Sequence, residues 1–254
     1  MAHALLIGLA CAHPSKAPCL RDLAEELRIP LFDAANTYRY VLYLAQAHLE
    51  LRSVSTDMTP LCVDFTTPLV KQRIHPQRLA QEALIKAIGK KNRHILDVTL
   101  GLGRDAFLLA ASGRCVLGLE RSGVIYALVR DALVRATQDG WTASIAARLT
   151  VRCEEAGAYL DNAHNPRVDA VYIDPMHPPR KKTSALVKKE MRVLRDIVGD
   201  DLDAGQLLSA ALVFAQHRVV VKLPMHSAPL NQRPADFSVG GKTTRYDVYL
   251  CANH

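Results

Sequence analysis

A chain of 254 residues that is 49% hydrophobic and 22% charged has a globular balance, which excludes disordered and fibrous classes, and its length allows one large α/β domain or one domain with a small appendage. The excess of 32 Lys+Arg over 25 Asp+Glu gives a net charge of +7 and favours an anionic partner such as nucleic acid. The six cysteines, Cys11, Cys19, Cys62, Cys115, Cys153 and Cys251, show none of the paired short spacings of a zinc site or disulfide framework, and no apolar run approaches the ~18–20 residues of a membrane span, so a cytoplasmic protein with reduced thiols, no metal and no membrane partner is expected.

The opening MAHALLIGLACAHPSK has the outline of a lipoprotein signal ending at Cys11, yet it lacks a positive n-region, its apolar run is very short, and Gly8 stands where a larger apolar residue is usual. It reads instead as a first β-strand, ALLIGLAC. CLRDLAEELRIP has the periodicity of an amphipathic helix closed by Pro30, and RYVLYLAQAHLELRSV and LCVDF are strand-like runs. TTPLVKQRIHPQ is polar and basic, and RLAQEALIKAIG reads as a helix with Gly89 as its C-terminal stop. The pattern predicts a small N-terminal α/β domain over 1–75 and a larger domain over 76–254.

From His94 the order is regular. Strand HILDV precedes helix RDAFLLAAS, strand CVLGLE precedes helix SGVIYALVRDALVRAT, and strand LTVRC leads through a helical stretch to strand AVYID. A long basic helix follows, then strand RVVVKLP and, after a loop containing Gly240 and Gly241, TTRYDVYL. Strands separated by single helices imply right-handed crossovers and a parallel sheet buried on both faces, with the last strand adding antiparallel at the edge.

Ligands of an open parallel sheet bind at the carboxyl ends of its strands, where strand order reverses. The first such end reads LDVTLGLGRDAF: Asp97 ends the strand, and Gly101 and Gly103 permit a tight turn with close backbone approach before a helix N-terminus. Seventeen residues past Gly103, Glu120 ends the second strand, where a carboxylate accepts hydrogen bonds from ribose hydroxyls. These positions predict an adenosine-containing cofactor. A G-x-G turn alone often only joins a strand to a helix, and Ala106 fills the third small position of a nicotinamide fingerprint, so the loop leaves the choice of cofactor open. Asp97, four and six residues ahead of the glycines, resembles the acidic strand end in the first motif of S-adenosylmethionine-dependent methyltransferases, with Thr99 where that motif usually has glycine.

Asp174 ends the fourth strand of this domain, so it is expected in the same crevice. Pro175 fixes the backbone after it, and Pro178 and Pro179 stiffen the turn. A carboxylate on a rigid turn can accept a hydrogen bond from an exocyclic base amine and orient its lone pair for attack on a methyl group. DPMHP resembles the Asp/Asn-Pro-Pro-aromatic motif of amino-group methyltransferases, which hold a flipped base by hydrogen bonding and stacking; Met176 replaces the second proline, and His177 stands where the ring stacks. The bland reading of Asp174 is a turn cap. Ser184 is placed to N-cap the next helix, with Val187, Met191, Leu194 and Val198 as its apolar stripe. Lys188, Arg192 and Arg195 share a neighbouring face with Lys189 beside them, and Arg180, Lys181 and Lys182 precede the helix. Such a charge run is most often a solvated face; next to a base-binding carboxylate it reads as a track for an RNA backbone.

DPMHPPRKKTSALVKKEMRVLRDIVGDDLDAGQLL, together with GLGRDAFLLA, LGLERS, RVVVKLP and RYDVYL, resembles the ribosomal RNA small subunit methyltransferase J family over nearly all of residues 94–250. HLELR and VDF carry a looser match in the N-terminal part. The resemblance implies a Rossmann-like class I S-adenosylmethionine methyltransferase sheet with a small N-terminal α/β domain, and methyl transfer from S-adenosylmethionine to N2 of a guanosine near the 3′ end of 16S rRNA, free or in the 30S subunit. It also implies cofactor contacts at Arg104, Asp105, Glu120, Arg121, Glu154, Glu155 and Asp174, although the family pattern has a small polar pair where Glu154 and Glu155 stand. An NAD(P)-dependent oxidoreductase would leave the Asp-Pro turn and basic segment without a purpose. A non-catalytic RNA-binding protein on a methyltransferase fold would not need the glycine loop and Asp174 together.

Overall fold

The computed structural model describes residues 7–33, 38–56, 59–175, 193, 196–197, 204–241 and 243–251. The N-terminal part holds strands β1 (Ile7–Cys11), β2 (Tyr40–Leu44) and β3 (Leu49–Ser53), with helix α1 (Ala17–Leu27) between the first two. Strand β1 pairs parallel with β2, and β2 antiparallel with β3. The run RYVLYLAQAHLELRSV is thus a hairpin. The expected strand LCVDF contributes only a single bridge, Leu61 to Leu51. Pro60 before it has no N–H to offer a ladder. After it, the Asp64 carboxylate accepts from the Thr66 amide at 2.8 Å, which turns the chain away from the sheet.

Helices α2 (Pro68–Arg73), α3 (Pro76–Leu79) and α4 (Ala83–Ile88) lead into the second sheet. The Thr67 hydroxyl caps α2 by accepting from the Val70 amide. The helix expected over RLAQEALIKAIG is broken into α3 and α4, and Gly89 does end α4, at φ 81°. The second sheet is built from β4 (His94–Asp97), β5 (Cys115–Glu120), β6 (Leu149–Cys153), β7 (Ala170–Ile173), β8 (Arg218–Pro224), β9 (Phe237–Gly240) and β10 (Thr244–Leu250). Its order is β6-β5-β4-β7-β8-β10-β9, parallel from β6 to β8.

Strand β10 is antiparallel as expected, but it lies between β8 and β9 rather than at the edge. The edge belongs to the short β9, within the stretch expected as a loop. The connecting helices are α5 (Arg104–Ala111), α6 (Gly123–Gln138), α7 (Ala143–Ala146), α8 (Ala156–Asp161) and α9 (Ala204–Phe214). Neither α7 nor α9 was anticipated.

The alternation of side chains sorts the core into two layers. Ile95, Tyr172, Val220, Tyr246 and Val248 point to one face, where they join residues of α4 to α7 and of the N-terminal sheet, such as Leu42 and Leu51, in a continuous cluster. Leu96, Val171, Ile173, Val219, Val221 and Tyr249 point to the other, against α8 and α9. Val193, which adjoins the stripe predicted for the basic helix, is buried in the first cluster; Ser184, Val187, Met191, Leu194 and Val198 lie outside the described residues. Chain order runs outward through β4, β5 and β6 and then returns to β7 beside β4. The carboxyl ends of β4 and β7 therefore border the crevice where this class of sheet binds its ligands.

Candidate functional site

The loop leaving β4 needs its two glycines. Gly101 and Gly103 have φ of 51° and 69°, the left-handed region that a Cβ disfavours. A Cβ on Gly103 would also sit 3.2 Å from Val129 and 3.3 Å from Phe65. Gly103 leads straight into α5, with Arg104 and Asp105 in its first turn, so backbone N–H groups face the crevice from a helix start.

Glu120, at the end of β5, is buried, and its two oxygens accept from the amides of Gly101 at 3.0 Å and Ser122 at 2.8 Å. A carboxylate offers about four acceptor positions, so fixing the loop and accepting ribose hydroxyls are compatible roles. Beside it, the Glu154 amide donates to the Glu120 carbonyl at 3.1 Å. That brings the end of β6, with a half-buried Glu154 and an exposed Glu155, next to Glu120 and Arg121. Asp97 is 1% exposed and accepts from the Thr99 amide at 3.1 Å; burial pushes its carboxyl up to about 8.

Thr99 explains its own departure from the usual glycine. Its hydroxyl accepts from the Asp174 amide at 2.6 Å and so ties the end of β7 to the glycine loop. Pro175 behind Asp174 is buried, which leaves the turn little freedom. Asp97, Gly101, Gly103, Arg104, Asp105, Glu120, Arg121, Glu154, Glu155, Asp174 and Pro175 thus all lie at the carboxyl end of the sheet, as expected from sequence. His177, Arg180, Lys181, Lys182, Lys188, Lys189, Arg192 and Arg195 lie outside the described residues.

Lys222 was not anticipated. Its Nζ lies 2.6 Å from Asp174 Oδ2 and 2.8 Å from Asp105 Oδ2. The Tyr172 hydroxyl donates to Asp105 Oδ2 at 2.8 Å, and the Arg73 guanidinium lies 3.5 Å from Asp105 Oδ1. Burial alone would raise the Asp105 carboxyl, but the Lys222 ammonium, Arg73 and the Tyr172 hydroxyl together hold it below the usual carboxylate range. Burial would likewise lower the Lys222 ammonium, yet Asp174 and Asp105 hold it well above its ordinary value. The sequence did carry a signal, a cation inside the otherwise apolar run VVVKLP. Among the described residues, no cluster of His, Cys, Asp and Glu could hold a metal, and no helix is long and apolar enough to cross a membrane.

A family model for SAM-dependent methyltransferases matches residues 22–251. The ribosomal RNA small subunit methyltransferase J of Coxiella burnetii is 42% identical over 249 residues, covering 96% of each chain. The protein of that name from Thioalkalivibrio sulfidiphilus is 44% identical over 235 residues, covering 90% of this chain and 91% of the other. This chain belongs to the methyltransferase J family. The crystal structure of a SAM-dependent methyltransferase from Neisseria gonorrhoeae, 26% identical, superposes with a TM-score of 0.78 over 97% of both chains. The fold is accordingly the class I methyltransferase sheet, and the cofactor that the glycine loop left open is S-adenosylmethionine rather than a nicotinamide. The site fits that cofactor, with a buried carboxylate at the end of β5 and, bonded to it, a loop whose two glycines allow close backbone approach.

Proposed function

We propose that this protein methylates N2 of a guanosine near the 3′ end of 16S rRNA, on free rRNA or on the 30S subunit, and that Asp174 is the residue that presents the amine. The name carried by the relatives supports small-subunit rRNA as the substrate. The observation that supports the role of Asp174 is the bond from its backbone amide to the Thr99 hydroxyl at 2.6 Å, which joins the turn after β7 to the glycine loop. Work on rRNA makes the cytoplasm its place of action. The division near residue 75 is also our proposal, supported by the separate three-stranded sheet ahead of it.

In this reading, backbone amides of the Gly101–Gly103 loop and the carboxylate of Glu120 hold the cofactor, with Asp97, Arg104, Asp105, Arg121, Glu154 and Glu155 around it. S-adenosylmethionine supplies an electrophilic methyl group and leaves as S-adenosylhomocysteine. Asp174 accepts a hydrogen bond from one N2–H of guanine, which turns the nitrogen lone pair toward the methyl donor and stabilises the positive charge that develops on N2. Its carboxylate then receives the proton that the methylated nitrogen releases. Pro175 holds the carboxylate in place, and His177 stacks on the base. Arg180, Lys181, Lys182, Lys188, Lys189, Arg192 and Arg195 grip the phosphate backbone.

The test is single-turnover methylation of 16S rRNA by Asp174→Asn at saturating cofactor, with the methylated fragment sequenced by mass spectrometry. The rate should fall on the order of 10²-fold or more, while affinity for S-adenosylhomocysteine stays within a few-fold. The parent's product should carry its methyl on guanine N2. A rate close to the parent's would make Asp174 a turn cap, and a methyl on another atom would overturn the assigned reaction.

A further inference from the structure

We infer that Lys222 is a positioning residue that clamps the base-holding turn to the start of the cofactor-binding helix through one ammonium shared between Asp174 and Asp105. The inference rests on the reading of Asp174 given above. Three strands and a helix converge on this point. Lys222 comes from β8 and lies directly opposite Tyr246 of β10. Its Nζ reaches Asp174 beyond β7 at 2.6 Å and Asp105 in the first turn of α5 at 2.8 Å.

The alternation along β8 explains the aim. Val220, two residues back, packs into the layer that contains α5, so Lys222 leaves the strand on the same side, at the strand's carboxyl end. Such an arrangement does more than neutralise charge. Without a cation between them, two neighbouring carboxylates in a partly buried site repel each other, and one tends to take up a proton. A protonated or displaced Asp174 would present an O–H or a gap to the incoming amine instead of an acceptor.

Other charged and titratable groups among the described residues also face the clamp. Asp97 from β4 is a carboxyl that burial raises above its ordinary value, and it supplies no cation. Tyr172 from β7 is a phenol held well above its usual range by burial and donates to Asp105, and Tyr246 from β10 is raised in the same way. Arg73 from α2 reaches only the other oxygen of Asp105, at 3.5 Å, and is shared with Glu82, whose Oε1 accepts from its Nε at 3.0 Å. None of these four groups bridges Asp105 to Asp174, whereas the Lys222 ammonium contacts both.

Lys222→Met and Lys222→Arg test the clamp in the full-length protein. The first readout needs neither substrate nor cofactor: the side-chain carboxyl carbon of Asp105 is titrated by NMR. In Lys222→Met its midpoint should rise by at least about one pH unit, the usual effect of losing an opposite charge within ~4–6 Å. In Lys222→Arg it should stay near the parent's. The second readout is the pH profile of single-turnover methylation. In Lys222→Met the acid limb should move to higher pH, so that a roughly tenfold or larger deficit at neutral pH narrows toward pH 9, and Lys222→Arg should return the limb toward its original position. A Lys222→Met enzyme with an unmoved Asp105 titration, or one slowed equally at every pH, would overturn the clamp and leave Lys222 a packing residue. The two proposals fail separately. If Asp174→Asn methylates at the parent's rate, the role of Asp174 falls, while the Asp105 titration still decides whether Lys222 holds the pair.

Discussion

The amide of Gly101 donates to Oε2 of Glu120 at 3.0 Å, and the other oxygen of the same carboxylate takes the amide of Ser122. The glycine loop after β4 and the start of α6 are therefore both fixed to one side chain at the end of β5. Glu120→Ala should remove a charged acceptor and also loosen the loop. A hydrogen bond to a charged group contributes about 1.5–3 kcal/mol, so affinity for S-adenosylhomocysteine should fall roughly 10- to 100-fold by calorimetry. Unchanged affinity would take Glu120 out of the cofactor site.

The basic segment makes a separate prediction, drawn from its sequence. Replacing Lys188, Arg192 and Arg195 with Gln should weaken rRNA binding and lower its salt dependence, because each phosphate contact releases about one counterion. Asp196, the residue after Arg195, accepts from the Tyr40 hydroxyl at 2.8 Å and pairs with Arg39 at 2.8 Å, so that one residue is held against the N-terminal part. An unaltered slope of log affinity against log salt would make those three cations a solvated face.

Much of this site could be read before the fold was known. Gly101, Gly103, Glu120 and Asp174 each end or follow an apolar strand, and strand ends of a parallel sheet share one crevice. The five parallel strands were legible for the same reason, as apolar runs separated by helical ones. Lys222 was not, because its partners lie 117 and 48 residues away, and no local pattern encodes a contact over such distances. Strand β9 is four residues long and mostly exposed, which leaves almost no periodicity to detect. Helix α9 carries apolar residues around most of its circumference, so it lacks the one-sided stripe that marks a surface helix. LCVDF failed in the opposite sense. Its composition suits a strand, but Pro60 and the Asp64 turn reduce its pairing to Leu61.

Phe65, at the end of that same stretch, joins the N-terminal part to the glycine loop. Its ring stacks on Phe107 of α5 with centroids 4.3 Å apart and planes 4° from parallel, and its Cζ is one of the atoms closest to the Cβ position of Gly103. Phe65→Ala should cost about 3–5 kcal/mol, as truncations of buried aromatics do, and should weaken cofactor binding by freeing the start of α5. Leu69→Ala is the control, since Leu69 is 79% exposed and should change stability by less than about 0.5 kcal/mol. Denaturant midpoints for the two variants give the comparison. Equal midpoints would mean that the stack adds nothing to the fold.

Asp97 ties stability to pH. Burial, with Asp105 and Asp174 nearby, raises its carboxyl to about 8, against the opposing pull of the Thr99 amide and Lys222, whereas an unfolded chain ionises at about 3.9. A group whose folded value lies above its unfolded one contributes stability in full below the unfolded value and loses it as pH rises toward the folded one. Asp97→Asn removes the titration but keeps an oxygen that can accept from the Thr99 amide. Groups shared by the two proteins cancel in the difference between them. Parent stability should therefore fall relative to Asp97→Asn by about 1.4 kcal/mol per pH unit between pH ~4 and ~8 and level off above that. Urea unfolding of both proteins at half-unit steps from pH 4.5 to 9 measures this directly. A difference that stays flat over the range would show that Asp97 is already ionised at neutral pH, in contact with a cation or a donor strong enough to offset its burial.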